Sequence, residues 1–303
     1  MLLLGLNTAS NRMKSFLLMC LLFPLACKGS VVARDDAGNR VVLDRPAQRI
    51  VSLAPSITEL LYAAGAGGRI VGAVDYSDYP KEALQLARVG DAQALDIERI
   101  AALHPDLVVA WKSGYSSGQI EKLKSLGLAV FYSEPRRLAD IPGDIEQLGV
   151  LSGTENVARG AATDFRGRYE DLKKRYAGKS PVPVFFEIWN NPLMTVNDGH
   201  IVSDVMRLCG AINVFGSLPV LTPTVSLEAV LHANPEAIIA RGTDWLDEWR
   251  KWGALSASKS GNFFSIPDDL ISRQSPRMLL GAAMLCRQLD DVRNKRRTIE
   301  HHP

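Results

Sequence analysis

A pentapeptide of the form Gly-x-Ser-x-Gly at 114–118 is the strongest sign of catalysis in this sequence. It follows an apolar run and precedes a helical pattern, as a nucleophile elbow does, so Ser116 is a candidate nucleophile. A serine hydrolase also needs an acid and then a histidine later in the chain. His200 and His232 stand beside a turn and in a repeated helix, where a structural role is the better interpretation. The hydrolase is therefore a minor alternative, and we expect no enzymatic activity.

The sequence offers no pattern typical of a metal or phosphate site. Its five histidines are scattered, and neither Cys209 nor Cys286 has a Cys or His at ligand spacing. The glycine-rich stretch at 64–68 ends a helical pattern, and the C-terminus of a helix repels anions. We therefore expect no metal ion and no cofactor.

Three predicted strands are followed by aromatic residues, namely Tyr76, Trp111 and Trp189. Ligands of α/β sheets bind beyond the carboxyl ends of the strands, and aromatic rings there can stack on a large flat ligand. Ordinary loop packing would explain any one of the three. Three aromatic residues at equivalent strand ends favour a ligand pocket, so all three are candidate ligand-binding residues.

Trp245, Trp249 and Trp252 recur at nearly helical spacing. Such a stripe predicts a core face or a lid of a helix, and contact with a ligand pocket is the less favoured interpretation.

The elements that would position these residues occur twice. Segments 96–111 and 226–241 align without a gap, and each reads as a short helix followed by a buried strand. Asp96 and Ser226 are suitable N-caps for the two helices. A second pair, 58–66 and 203–211, has a cap at Thr58 or Ser203 and a glycine stop in each copy. Both pairs fall in the same order, which indicates two copies of one lobe.

The predicted fold class is α/β, with two similar lobes that have parallel central sheets and are joined by one long backbone α-helix. Apolar residues recur at helical spacing through 154–177, and no glycine-rich or proline-rich hinge interrupts them, so small lobe motions are expected. The predicted boundaries are an N-terminal lobe at 49–150, a linking helix at 151–178, a C-terminal lobe at 182–292 and a solvated basic tail at 293–303.

The first thirty residues differ from the rest. A basic residue on each side of Met13 precedes a charge-free apolar run at 16–26, which predicts a signal peptide at 1–30 and export to the periplasm. Cys27 fits a lipoprotein signal, so both lipidation at this cysteine and ordinary signal-peptide cleavage are possible. Either Met1 or Met13 could be the initiator methionine. In an oxidising compartment Cys209 and Cys286 would pair or remain two buried thiols.

The remaining composition is ordinary. With 303 residues, 22% charged residues and a formal net charge of +2, the chain can bury a substantial core in two domains. Nothing indicates disorder or the strongly basic surface of a nucleic-acid-binding protein.

Several longer motifs resemble those of the helical-backbone class of substrate-binding proteins of bacterial ABC importers. Proteins of this class bind cobalamin, haem or siderophores. The similarity runs from Arg49 to about Asp291, and within this class the sequence looks like the periplasmic vitamin B12-binding proteins. It rests on Ile-Val-Ser-Leu-Ala-Pro-Ser-Ile-Thr-Glu at 50–59, Tyr-Ser-Asp-Tyr-Pro at 76–80, Leu-Cys-Gly at 208–210 and Ser-Pro-Arg at 275–277.

The resemblance implies a cleft between the lobes that binds cobalamin or a related corrinoid, with haem or a ferric siderophore as the alternative ligand. It implies that a monomer docks onto an ABC permease dimer with its ATPase subunits, through Glu98 on one lobe and Glu228 on the other. It also implies a disulfide between Cys209 and Cys286.

The family's ligand contacts match this sequence incompletely. Tyr76, Trp111, Asp269 and Arg273 fall at family pocket positions, whereas two positions where tryptophans flank the corrin are Ala92 and Thr222 here. The pocket has therefore lost aromatic surface, and Trp189 is expected to replace part of it.

Overall fold

The computed structural model describes residues 29–301, with side chains up to residue 298. The predicted signal peptide, including Met13 and Cys27, lies outside this range apart from its last two residues.

The N-terminal lobe is a five-stranded parallel sheet covered by helices, with strand order β5-β4-β3-β6-β7. Its strand β6 is a continuous apolar run whose first four residues are fully buried, as expected for a parallel sheet covered on both faces. Its elements are β1 (Val31–Arg34), β2 (Arg40–Leu43), β3 (Ile50–Ser52), α1 (Pro55–Ala63), β4 (Ile70–Ala73), β5 (Ala87–Arg88), α2 (Ile97–Ala102), β6 (Leu107–Trp111), α3 (Ser117–Ser125), β7 (Val130–Ser133) and α4 (Ile141–Ser152).

A 22-residue helix, α5 (Glu155–Tyr176), follows and carries the chain to the second lobe. It packs mainly against α4, and its buried face is formed by Ala158, Ala162, Phe165 and Tyr176. Val157, predicted to lie in the apolar stripe, is 57% exposed.

The C-terminal lobe is a four-stranded parallel sheet with strand order β11-β8-β12-β13. Its elements are β8 (Val182–Glu187), β9 (Trp189–Asn190), β10 (Leu193–Met194), α6 (Ile201–Leu208), β11 (Ala211–Asn213), α7 (Leu227–Ala233), β12 (Ala237–Ala240), α8 (Thr243–Arg250), α9 (Ser256–Lys259), β13 (Phe263–Ser265), α10 (Asp268–Ile271) and α11 (Met278–His301). Helix α11 packs against α5, α6 and α10. Two parallel-sheet lobes joined by a long helix confirm the predicted fold class.

The duplicated helix and strand are present in both lobes. The Asp96 carboxylate accepts a hydrogen bond from the backbone N–H of Arg99, and the Ser226 hydroxyl accepts one from that of Ala229. Both predicted N-caps of this pair are therefore confirmed. The residues before the two prolines, His104 and Asn234, adopt left-handed conformations with φ of 45° and 44°. This shared and uncommon backbone geometry supports the duplication independently of the sequence.

The second repeated pair corrects one prediction. Thr58 and Ser203 are not N-caps, because α1 begins at Pro55 and α6 begins at Ile201, so both side chains are buried within helices. The two glycine stops do form, with φ of 80° at Gly65 and 73° at Gly210. A hydroxyl side chain near a helix start reads as a cap in sequence, whereas here each hydroxyl hydrogen-bonds inside its lobe.

The predicted disulfide is confirmed, and it fastens α6 to the C-terminal helix. The Cys209 and Cys286 sulfurs are 2.01 Å apart. Nearby, the Arg293 guanidinium donates hydrogen bonds to the backbone carbonyls of Ser180 and Cys209 and is only 4% exposed. The prediction that this residue begins a solvated tail is therefore wrong, because its guanidinium is buried and hydrogen-bonded to backbone carbonyl groups of the C-terminal lobe.

An N-terminal hairpin extends the first lobe beyond its predicted start at residue 49. Strands β1 and β2 pair antiparallel, and β1 packs against α4. The Asp36 backbone N–H donates to the Tyr132 carbonyl, so the hairpin is hydrogen-bonded to the lobe. Within residues 29–301 no helix is long and apolar enough to cross a membrane.

Candidate functional site

Both sheets have their topological switch point beside the strands that carry the predicted aromatic residues. In the first sheet the order reverses between β3 and β6, and Trp111 is the last residue of β6. In the second it reverses between β8 and β12, and Trp189 follows β8 after one residue. Ligands of open α/β sheets bind at such positions, so the fold places both tryptophans where a ligand site is expected.

A small cavity lies between the lobes at the end of β6. It has a volume of about 50 Å³ and is lined by Trp111 and Glu134 from the first lobe and by His200, Leu221 and Gln274 from the second, among others. Liquid water takes about 30 Å³ per molecule, so this space holds a few small atoms and not a macrocycle. The surface that could contact a large ligand is therefore the open rim around it.

The rim is defined here as the three exposed aromatic side chains at the strand ends, of which Trp111 borders the small cavity. Tyr76 is 78% exposed, Trp189 is 48% exposed and Trp111 is 37% exposed. Gly114 allows the Trp111 ring to lie flat against the loop, because a Cβ there would come within 2.5 Å of the ring. Exposed aromatic rings around an inter-lobe cleft can cover the face of a flat ligand.

Tyr76 is fixed from the opposite lobe. Its backbone is left-handed, with φ of 62°, and its carbonyl accepts a hydrogen bond from Arg273 at 3.1 Å. The same guanidinium lies 2.6 Å from Asp78, and its hydrogen bond holds the pKa of that carboxyl below its usual value. Arg273 therefore positions the Tyr76 loop.

The predicted polar contacts of the ligand belong to a cross-lobe cluster around Glu59. This carboxylate is 4% exposed and accepts hydrogen bonds from Arg273, Arg277 and the Ser275 hydroxyl. Arg277 also pairs with Asp269 at 2.8 Å. Asp269 and Arg273 are thus near the cleft but already engaged in ion pairs.

Sequence reasoning did not find Glu59 or Arg277 as functional residues, although a signal existed in the repeat. Glu59 and Asp204 occupy equivalent positions in the repeated helices α1 and α6. The Asp204 carboxylate also reaches the other lobe, where it accepts a hydrogen bond from the Leu138 backbone N–H at 2.9 Å. Equivalent acidic residues that both face the opposite lobe mark the boundary between the lobes.

The tryptophan stripe lines a separate and larger cavity. Trp245, Trp249 and Trp252 border a space of about 580 Å³ within the C-terminal lobe. Trp189 meets Trp245 edge to face, with ring centroids 6.0 Å apart. Trp249 belongs to the buried core of the lobe with Trp245 packed against it, as the favoured interpretation predicted, and the three side chains also border this cavity.

The two predicted docking residues are exposed and occupy equivalent places. Glu98 and Glu228 lie in the first turns of α2 and α7. Hydrogen bonds from its own backbone N–H and from Ser226 lower the pKa of the Glu228 carboxyl, so it is ionised at neutral pH. The two lobes thus present solvent-facing carboxylates at equivalent places.

Ser116 lacks the surroundings of a catalytic nucleophile. It is exposed and has an extended backbone, with φ of −63° and ψ of 146°. In the part of the chain with described side chains, no histidine hydrogen-bonds its hydroxyl. Burial lowers the pKa of His200 to about 4, and its Nδ1 accepts a hydrogen bond from the Val202 backbone N–H, as a helix cap does. Among the described residues no group of three or more His, Cys, Asp and Glu side chains could hold a metal ion.

A two-lobed molecule with a helical connection and an aromatic cleft at its strand ends defines the class of two-lobed substrate-binding proteins. The chain belongs to the periplasmic binding protein family, whose model matches residues 50–284. It is 39% identical to the vitamin B12-binding protein of Vibrio cholerae over 251 residues, which cover 80% of this chain and 90% of that protein.

Solved structures agree with this membership. The periplasmic vitamin B12-binding protein of Vibrio cholerae superposes with a TM-score of 0.78 at 37% identity, covering 82% of this chain and 98% of that one. The periplasmic haem-binding protein of Roseiflexus superposes with a TM-score of 0.71 at 21% identity, covering 81% and 99%. The second similarity shows the fold alone. The resemblance inferred from the sequence motifs is confirmed.

Proposed function

We propose that this protein is the periplasmic substrate-binding component of an ABC importer, which captures cobalamin or a related corrinoid between its lobes and delivers it to a membrane permease. The observation that carries the proposal is the exposed aromatic rim at the switch points of both sheets. The similarity of this chain to vitamin B12-binding proteins over most of their length supports the choice of a corrinoid as the ligand.

A corrinoid is a large flat ring with polar amide groups at its edge, and the rim suits both features. Tyr76, Trp111 and Trp189 would contact the ring, because their faces are exposed. Asp269 and Arg273 would hydrogen-bond amide groups at the ring edge through atoms that their ion pairs leave available. The ligand would lie across the rim, since the inter-lobe cavity of about 50 Å³ is too small for it.

The first test is a titration of the mature protein with cyanocobalamin, cobinamide, haemin and a panel of ferric siderophores. Tight binding of a corrinoid is the expected result. Binding of haemin or a siderophore with no affinity for any corrinoid would replace the proposal with the alternative ligand of the same class.

A matched pair of variants tests the site itself. Trp111→Ala should weaken corrinoid binding by about 10- to 100-fold, because burial of one aromatic side chain contributes about 1.5–3 kcal/mol. Trp252→Ala is the control, because Trp252 has nearly the same exposure, 40% against 37%, but lies in the other cavity. Equal effects of the two substitutions would argue against the cleft as the binding site.

The proposal includes the absence of catalysis. Ester turnover that is lost in Ser116→Ala, or fluorophosphonate labelling of Ser116, would contradict it. We expect neither, because the Ser116 hydroxyl has no general base among the described residues.

A further inference from the structure

A cavity of about 580 Å³ lies wholly within the C-terminal lobe, and no residue of the N-terminal lobe lines it. It is bounded by β8, the β9–β10 hairpin and helices α7 and α8. Its volume falls within the range of about 300–1,000 Å³ that is typical of small-molecule sites. The cavity is therefore large enough for a ligand of its own.

Three tryptophans form its aromatic walls. Trp249 is 4% exposed, and its ring is held by a hydrogen bond from Nε1 to the Glu187 carboxylate at 2.7 Å and by edge contact with Phe185. Trp252 is 40% exposed, and the exposure of Trp245 is intermediate between those of Trp249 and Trp252. The face of an indole ring attracts cations more strongly than other aromatic side chains do.

The charged residues that line the cavity are all acidic. Glu187 is 2% exposed, its Oε2 accepts the Trp249 hydrogen bond, and its Oε1 accepts none from any residue with a described side chain. Asp244 and Glu248 add two exposed carboxylates on α8, of which Glu248 pairs with Lys251 outside the cavity lining. Aromatic faces and a buried, half-satisfied carboxyl group together select a positively charged guest.

We propose that this cavity is a second ligand site, which binds a small organic cation with a quaternary ammonium head group. A metal ion would need several converging ligands, and the described residues provide no such group. A quaternary ammonium donates no hydrogen bond, so its partners are aromatic faces and nearby carboxylates, which are what the cavity supplies. The cavity adjoins the rim where Trp245 meets Trp189, but it shares no lining residue with the small inter-lobe cavity, and the proposal does not depend on the proposed function.

The test uses choline as a probe and 3,3-dimethylbutan-1-ol as its uncharged isostere. Isothermal titration calorimetry on the mature protein should show saturable binding of choline that is at least tenfold tighter than binding of the alcohol. No choline binding, or equal binding of the two compounds, would overturn the proposal. Saturation of the cleft with cyanocobalamin should leave choline affinity unchanged, and competition between them would also overturn it.

Variants on one helix provide a matched control. Asp244→Asn and Trp252→Ala remove lining groups at the cavity surface and should each weaken choline binding at least threefold. Asp247→Asn removes an exposed carboxylate from the same helix outside the cavity and should have no effect. Equal effects of the two Asp→Asn substitutions would mean that choline responds only to the general charge of α8.

The buried carboxyl gives a second readout. Burial raises the pKa of Glu187 to about 7, although the hydrogen bond from Trp249 opposes the rise. Asp244 and Glu248 are the other charged groups of the cavity, since its lining residues from β9, β10 and α7 are uncharged. A bound cation favours ionised Glu187, so choline affinity should rise as pH increases through 7. Glu187→Gln should abolish this pH dependence, and an unchanged profile in a folded Glu187→Gln protein would contradict the assignment.

Discussion

Glu59 is where charges from both lobes converge. Its carboxylate is buried and surrounded by two guanidinium groups and the Ser275 hydroxyl. Burying charges costs several kcal/mol per ion, so such a cluster adds little net stability, although removing one member would leave others unpaired. We therefore interpret the Glu59 cluster as a device that fixes how the lobes face each other.

The resemblance implies aromatic residues at the positions of Ala92 and Thr222, and introducing tryptophans there tests that prediction. Ala92→Trp together with Thr222→Trp should tighten corrinoid binding by about 10-fold or more, because each added ring can bury apolar area against the ligand. Affinity would be measured by calorimetry. Leu126→Trp, at a position that is 52% exposed outside the cleft, is the control and should change nothing. An unchanged affinity in the double variant would show that the ligand lies elsewhere.

The buried carboxyl group of Asp144 on α4 lies beside the exposed carboxyl group of Asp36 in the N-terminal hairpin. Burial, and then the charge of Asp36, raise the pKa of Asp144 well above its ordinary value. The folded protein thus binds a proton more tightly than the unfolded chain does. The protonated carboxyl of Asp144 therefore makes its full contribution to stability at acidic pH, below about 4. This contribution is lost as pH rises through the folded-state pKa of Asp144.

The variant Asp144→Asn should remove the decrease in stability that accompanies ionisation of Asp144 at higher pH. We expect its free energy of unfolding at neutral pH to exceed that of the parent protein by about 1 kcal/mol or more, and its stability to vary less with pH above 4. Urea denaturation between pH 4 and 8 would measure both quantities. Asp164→Asn, on the exposed face of α5, should leave the parent profile unchanged. A steeper decline of stability with rising pH in Asp144→Asn would contradict the raised pKa of Asp144.

At the scale of elements, the C-terminal helix depends on a covalent tie. The disulfide joins the end of α6 to α11 across 77 residues of chain, and a disulfide typically contributes about 2–4 kcal/mol by restricting the unfolded chain. Cys209→Ser with Cys286→Ser should lower the free energy of unfolding by this amount under oxidising conditions. Adding a reductant should lower the stability of the parent protein and leave the double variant unchanged. Equal stabilities in oxidising buffer would refute the prediction.

The elements themselves were largely predictable from the sequence, because periodicity and the internal repeat depend on local spacing. The helix–strand units and the long α5 needed no tertiary information. Thr58 and Ser203 were misassigned as caps because a hydroxyl bonds equally well to a helix end or to a neighbouring buried group. Arg293 looked like tail because its acceptors, the carbonyls at 180 and 209, are distant in sequence.

The site was predictable in part. Strand-end aromatic residues could be identified because parallel strands end at one edge of a sheet. The ion pairs of Asp269 and Arg273 could not, since they depend on how one lobe meets the other. The cavity beside Trp249 could not be predicted from the sequence either, because a helical tryptophan stripe packs into a core in most proteins. Only the position of Glu187 in the structure shows that a space remains there.

At the scale of the whole molecule, each lobe presents an exposed glutamate at the same place of its repeated helix. Glu98→Ala with Glu228→Ala should weaken the complex with a reconstituted permease–ATPase assembly by about tenfold, mainly through slower association, because exposed charges guide docking. Surface plasmon resonance at two salt concentrations would measure this effect. Glu121→Ala, an exposed glutamate on α3, is the control. Corrinoid affinity should stay unchanged, and a loss of ligand binding would move the two glutamates out of the docking role.

The contacts of Glu59 and Asp204 also carry information about how such a molecule arose. Each acidic residue, at the same place in its lobe, reaches a segment that follows the last strand of the other lobe. In a twofold homodimer, position i of the first subunit contacts position j of the second, and position j of the first contacts position i of the second. The boundary between the lobes therefore has the form of a subunit interface. A single ancestral lobe that paired with itself before its gene was duplicated and fused would have left this pattern.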